Sequence, residues 1–255
     1  MSKTFFAMLA RDWHVARRNS IALMLQTLLQ PMLLVFVFGN IMTGSGMIAR
    51  TYKNILLPGV MAMSMVLTGV QAVAMPLIAE FQFTHEIEDR LLAPMRIGWL
   101  AVEKVVAGML QSLVAGAVVA LSAWLLLGTS VRLDFGHPLE LAVVALLVAL
   151  AAGAGGLTLG CSVGQTQIGL MFTLVIAPMI FFGCAYYPWA SLAPHPFLQK
   201  AVLVNPLVYA SEGLRGILSP EVAHLPAAAV IGALSLFDVV LLGAGLFRFH
   251  RKAIS

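Results

Sequence analysis

Six stretches of this 255-residue chain run for about twenty residues with few or no charges: 21–42, 56–78, 105–127, 139–161, 167–187 and 227–247. A helix needs ~20 mostly apolar residues to cross the ~30 Å hydrocarbon core of a bilayer. Each stretch is long enough to span with some tilt. Soluble domains are about half apolar and a quarter charged, whereas this chain is 60% hydrophobic and 10% charged. Its mean hydropathy is +0.95. No soluble core explains that excess. Alternation with a period of two residues is absent, which argues against a barrel. The expected fold is an all-α integral membrane protein with six transmembrane helices.

The first twenty residues have a different pattern. At helical spacing Phe5, Leu9, Trp13 and Ala16 share one side, and Lys3, Arg11, His14 and Arg18 the other, with Asp12 the exception. Such a pattern suits a helix lying flat at the membrane surface; an ordinary basic flank before a first span is the plainer reading. The apolar run from Ile21 is too long for a cleaved signal peptide, and no small-residue cleavage site follows it. With the N-terminus in the cytoplasm, the inner segments hold 10 Lys and Arg and the outer segments 5. That bias predicts both termini inside. The net charge of +4 then reports topology, with no nucleic-acid signal in it. Cys161 and Cys184 fall near opposite faces of the bilayer and cannot bridge.

The chain reads as one membrane domain, 1–255, without repeats or low-complexity tracts. Most of its loops are short. Two are not: an inner loop, 79–104, and an outer stretch, 188–226. The outer stretch is too apolar for a free loop. Phe197, Leu198, Ala201 and Val202 form one helical face, while prolines at 194, 196, 206 and 220 break any helix into short pieces. Short re-entrant helices dipping into the outer leaflet are expected, since irregular backbone at that depth needs protein or a water-filled cavity around it.

Catalytic and metal-binding signatures are missing from the sequence. The six histidines are scattered at 14, 85, 137, 195, 224 and 250. None sits at metal-ligand spacing with Cys or a carboxylate. The G-x-S-x-G match Gly160–Gly164, "GCSVG", follows a spanning segment rather than the strand a nucleophile elbow needs, so Ser162 reads as helix packing. No Gly-Lys pair supplies a P-loop. An ion-coupled transporter usually carries several ionisable groups within its spans; this chain has one deep acid, Asp238. Asp238 either lines a pathway, with Met179 and Phe172 as further lining candidates, or makes an interhelical hydrogen bond to a residue such as Gln111 or Thr173. Gly156, Gly160 and Gly164 repeat every fourth residue. That spacing allows close helix approach, within the chain or between two copies.

The stretch "EFQFTHEIEDRLLAPMR", Glu80 to Arg96, is the densest charged segment, with six charges in seventeen residues. A charged helix on the inner face cannot help to span lipid, but it can meet a soluble partner. Acids outnumber bases in it, which argues against a polybasic lipid-binding role. Phe81, Phe83, Leu91 and Leu92 are candidate apolar anchors of an interface core. The alternative is a merely solvated loop.

Three features together resemble one family: the amphipathic N-terminus before six spans, the inner loop "FTHEIEDRLLAPMRIGWLAVEKVVAG", and the outer segment "FFGCAYYPWASL…NPLVYASEGLRGIL". They are similar to the permease subunit of a type-2 ABC exporter, nearest the daunorubicin-resistance and nodulation-factor export branch. The resemblance covers nearly the whole chain. It implies a second permease copy or homologue and two copies of a P-loop ATPase subunit. ATP and Mg would be bound by that ATPase, with no cofactor on this chain. It also implies that Phe83, Thr84, Glu86, Glu88, Asp89, Arg90, Leu91 and Leu92 form an ATPase-coupling helix. Asn205, Pro206, Tyr209 and Arg215 would belong to an outer gate. Export of a hydrophobic or amphipathic drug, lipid or lipid-linked glycan across the bacterial inner membrane is the implied activity. An ion-coupled secondary transporter and a membrane enzyme or assembly factor are the other classes the sequence leaves open.

Overall fold

A computed structural model describes residues 29–49, 51–82, 97–127 and 134–254. Among these the regular structure is helical, with no strand. The interfacial segment 1–20 and residues Phe83, Thr84, Glu86, Glu88, Asp89, Arg90, Leu91 and Leu92 lie outside the described residues.

Among the described residues, and leaving aside short 3-10 turns, eight helices follow in order. Helix α1, Leu29–Met42, ends in a π-helical turn. Helices α2 (Tyr52–Gln82), α3 (Ile97–Leu127) and α4 (Pro138–Ser162) are long. Helix α5, Ile168–Phe181, is short and carries a second π-helical segment at Phe172–Ile176. Two short helices, α6 (Pro196–Ala201) and α7 (Pro206–Leu218), precede the last long helix, α8 (Ala227–Ile254). Four of them, α2, α3, α4 and α8, are long and apolar enough to cross a membrane. We call the end holding Tyr52, Leu127, Pro138 and Ala227 the upper end.

The long helices overrun their apolar stretches. Helix α3 begins at Ile97, well before the run at 105, and α8 continues through its basic last turn to Ile254. Helix α5 does the reverse. At 1.5 Å per residue its fourteen residues reach only about 21 Å, and the chain turns back before Trp189. The turn contains Cys184 at φ 53°, a left-handed conformation that is rare for a residue with a side chain.

Helix α2 is the centre of the bundle, packed against α3, α4 and α7, while α8 packs mainly on α4. Small residues allow these approaches. A Cβ at Gly156 would sit 2.7 Å from the Val70 carbonyl oxygen, and one at Gly160 would sit 3.0 Å from Ala74 Cα. Gly156 and Gly160 are therefore used inside the chain, between α4 and α2. Gly59 is tighter still, because its missing side chain is where the Ala185 carbonyl lies. We predict that Gly59→Ala destabilises the protein by ~1–3 kcal/mol through overpacking, read as a lowered unfolding temperature in detergent.

The outer surface is apolar. Leu125, Leu174, Leu236, Val239 and Phe247 are each about two-thirds exposed or more. Soluble monomers rarely expose contiguous patches of this kind. The exposed faces of the long helices meet lipid or another apolar protein surface, and the protein is a membrane protein.

Candidate functional site

The upper end is organised by α7. The dipeptide Asn205-Pro206 starts it as helix chemistry requires: Asn205 Oδ1 accepts from Leu207 N at 3.0 Å as the N-cap, and proline fills the first helical position. The Asn205 amide also donates to the Met179 carbonyl at 2.7 Å, tying α7 to α5. Tyr209 rests its ring beside Phe237 of α8, with centroids 6.0 Å apart.

One turn further on, α7 buries an ion pair completely: Glu212 and Arg215 are both fully inaccessible. Arg215 donates to Glu212, to the Cys184 carbonyl at 2.8 Å, and at 3.3–3.4 Å to the Ile55 carbonyl in α2. Glu212 accepts from the Trp189 amide at 2.9 Å and the Leu225 amide at 3.1 Å. Two side chains thus hold four other segments: α2, the turn after α5, the Trp189 strand of chain, and the connection into α8. The physical need is local. Where α5 stops and the chain reverses, backbone groups lose their helical partners, and an unpaired polar group away from water is costly. Arg215 and Glu212 meet that need, and each neutralises the charge the other would otherwise bury alone.

Beneath this knot lies a cavity of about 270 Å³ between α2, α4, α5, α7 and α8. Its walls are almost wholly apolar. Met179, Pro206 and Phe237 line it, with Val66, Val148 and Leu241 among the others. Its polar residue, Thr158, is already engaged, donating to the Ala154 and Leu241 carbonyls. Asp238 is 4% exposed, and neither carboxylate oxygen has a hydrogen-bond partner among the described residues. The Thr173 hydroxyl donates to the Gly169 carbonyl instead. Phe172 is half-buried in the π-helical part of α5.

The opposite end has its own charged joint. Lys104 of α3 and Glu80 of α2 form a buried pair at 2.8 Å, at the two roots of the charged loop. Phe81 packs edge-on against Phe249, under the Lys252 ammonium at 4.8 Å, so its ring is spent inside the chain rather than offered to a partner. Ser162 ends α4, donates to the Thr158 carbonyl and accepts from Arg248, which locks α4 to α8. A helix precedes Ser162, so it has the surroundings of a packing residue, not of a nucleophile. Both cysteines are buried and free. Among the described residues no three His, Cys, Asp or Glu side chains converge as a metal site would need.

The structure brings Asn205, Pro206 and Met179 together and sets Tyr209 on α8. Arg215 lies in the knot above them. Sequence reasoning overlooked Glu212. Its signal was available: an acid three residues before Arg215 on one helix face, inside a stretch otherwise too apolar for free charges.

Residues 3–219 match the family model described as ABC-2 type transporter. No curated protein matches the chain. The matched region runs through α7 and stops just before α8.

Proposed function

The chain belongs to the ABC-2 type transporter family and is the permease component of an ABC transporter with an ATPase partner; on that premise we propose that it exports a hydrophobic or amphipathic substrate, a drug, lipid or lipid-linked glycan, out of the bacterial cytoplasm. The observation that carries this reading is the family match across α1 to α7. The pieces "EDRLLAPM" and "NPLVYASEGLR" support the daunorubicin-resistance and nodulation-factor branch of that family.

In this reading the working unit has two permeases and two ATPase subunits. Each permease has six spans, α1 and α5 completing the four long helices, and both termini are cytoplasmic. The loop rooted at Glu80 and Lys104 is the coupling element. ATP closes the ATPase pair, the loop moves, and the joints at the roots of α2 and α3 carry that motion upward. The Glu212–Arg215 knot keeps the re-entrant α6–α7 segment rigid at the outer end. ATP and Mg belong to the ATPase. Asp238 is the one acid deep within an apolar span, and a single such group gives ion-coupled transport little to work with.

Two measurements test this. Cysteine introduced at His250 should be labelled only from the cytoplasm, and at Glu221 only from outside. Labelling of Glu221→Cys from inside would overturn the topology. In vesicles holding the chain with its ATPase, transport should require ATP and survive collapse of ion gradients. Transport driven by a gradient without ATPase would establish the secondary-transporter reading instead.

A further inference from the structure

The cavity beneath the outer knot is held open by its own walls. Gly156 of α4 seats against the Val70 carbonyl with no room for a Cβ. The Thr158 hydroxyl donates to the Leu241 carbonyl at 2.8 Å, and the Asn205 amide to the Met179 carbonyl at 2.7 Å. Val70, Leu241 and Met179 all line the cavity. These contacts pin α2 and α8 to α4, and α7 to α5, so the walls cannot simply close on the space between them.

Water does not suit that space. A buried water needs two to four polar partners. Thr158 is the only polar side chain of the lining, and its hydroxyl is already bonded to two carbonyls. An empty cavity is unfavourable as well, because wall atoms that face a void forfeit their packing contacts. What remains is the hydrocarbon around the protein. Two lining residues, Val175 of α5 and Val204 just before α7, are 42% and 78% exposed, so the cavity reaches the outer surface of the chain. Its depth matches that of acyl chains. Val66 and Val148 line it fourteen and ten residues from the upper ends of α2 and α4, or roughly 15–21 Å down, inside a hydrocarbon core ~30 Å thick. Its shape matches too. Along α4 the lining runs from Val148 to Leu159, about 16 Å at 1.5 Å per residue. A volume of 270 Å³ spread over that length is a narrow slot, suited to one extended chain and not to a fused-ring body.

We propose that this cavity binds one acyl chain of a bilayer phospholipid, inserted sideways between α5 and the start of α7, with the head group left outside. Met179 and Pro206 line the slot on either side of the Asn205 tie, so the bound chain props the join between α5 and α7. The site goes beyond the exporter reading and requires only that the protein sits in a bilayer.

The test uses the full chain in phosphatidylcholine nanodiscs doped with one of two photoreactive probes. The first is a phosphatidylcholine with a diazirine near the end of one acyl chain, and the second is a diazirine sterol. Adducts are mapped to residues by mass spectrometry. Val148 and Leu234 line the cavity and are fully buried, whereas Leu236 and Val239 face outward and report ordinary lipid contact. The phospholipid probe should modify both pairs, and the sterol only the outward pair. Gly155→Leu supplies an independent variant. Gly155 lines the cavity, and a Cβ there meets nothing closer than Val70 Cγ2 at 3.8 Å, so the leucine extends into the slot. It should reduce the adducts on Val148 and Leu234 to background and leave those on Leu236 and Val239 unchanged. The two-probe comparison needs no variant and decides the matter even if Gly155→Leu fails to fold. Phospholipid adducts confined to the outward pair, equal sterol adducts on Val148 and Leu234, or wild-type adducts in folded Gly155→Leu would each overturn the proposal.

Discussion

Replacing Arg215 with Met should leave little folded protein in the membrane. The change strips the charge partner from Glu212, which is fully buried, and the donors from the Cys184 and Ile55 carbonyls. Breaking a buried ion pair on one side costs ~3–5 kcal/mol. Net stabilities are ~5–15 kcal/mol, so one substitution removes a large share. Arg215→Lys should fall between, because an ammonium cannot spread over three acceptors as the planar guanidinium does. Exchanging the pair, Glu212→Arg with Arg215→Glu, should not rescue. The Trp189 and Leu225 amides would face a cation and the Cys184 and Ile55 carbonyls an anion. The double change Glu212→Gln with Arg215→Met should recover part of the loss, since it removes both charges and keeps an acceptor for one amide. The checks are monodisperse yield and unfolding temperature in detergent. Full recovery by the exchanged pair would show that only the charges matter and that the backbone contacts are incidental.

Reversing Glu88 and Asp89 to Lys should uncouple the complex. If the charged loop docks into the ATPase, a charge pair broken on one side of that interface costs ~2–5 kcal/mol, which weakens association roughly a hundredfold. Leu91 and Leu92 changed to Ser should act alike through lost apolar burial. Neither change touches a spanning residue, so insertion and yield should be normal. Pull-down of the ATPase and vesicle transport are the readouts. Lys200→Glu on α6 is the control. It is exposed and far from the loop in sequence, whereas Glu221 already accepts from the Asn54 amide at 2.9 Å and is less neutral to change. Wild-type binding and transport in both loop variants would mean that the loop faces only water.

What the sequence determined by itself was the solvent, the helical class and the start of α7. Long apolar runs leave a bilayer as the only adequate solvent, and in lipid the backbone must satisfy itself, which leaves helices. Asn205-Pro206 announces the start of α7 because capping is local chemistry. Gly156 and Gly160 announced close packing for the same reason, although only the fold showed that α2, not another copy, fills the gap. Tertiary structure decided everything that depends on groups far apart in sequence. Arg215 could be read as a charge in an apolar outer stretch, but its acceptors are 160 and 31 residues away. Glu212 draws its donors from two separate turns. No periodicity encodes those pairings. They arise because α5 stops short, and the free backbone groups at its end must be met by whatever polar side chain the packing brings near. Asp238 shows the converse. Its depth was plain from the apolar run around it, but only the packing of α3, α4 and α7 against α8 buried its carboxylate without a hydrogen-bond partner among the described residues.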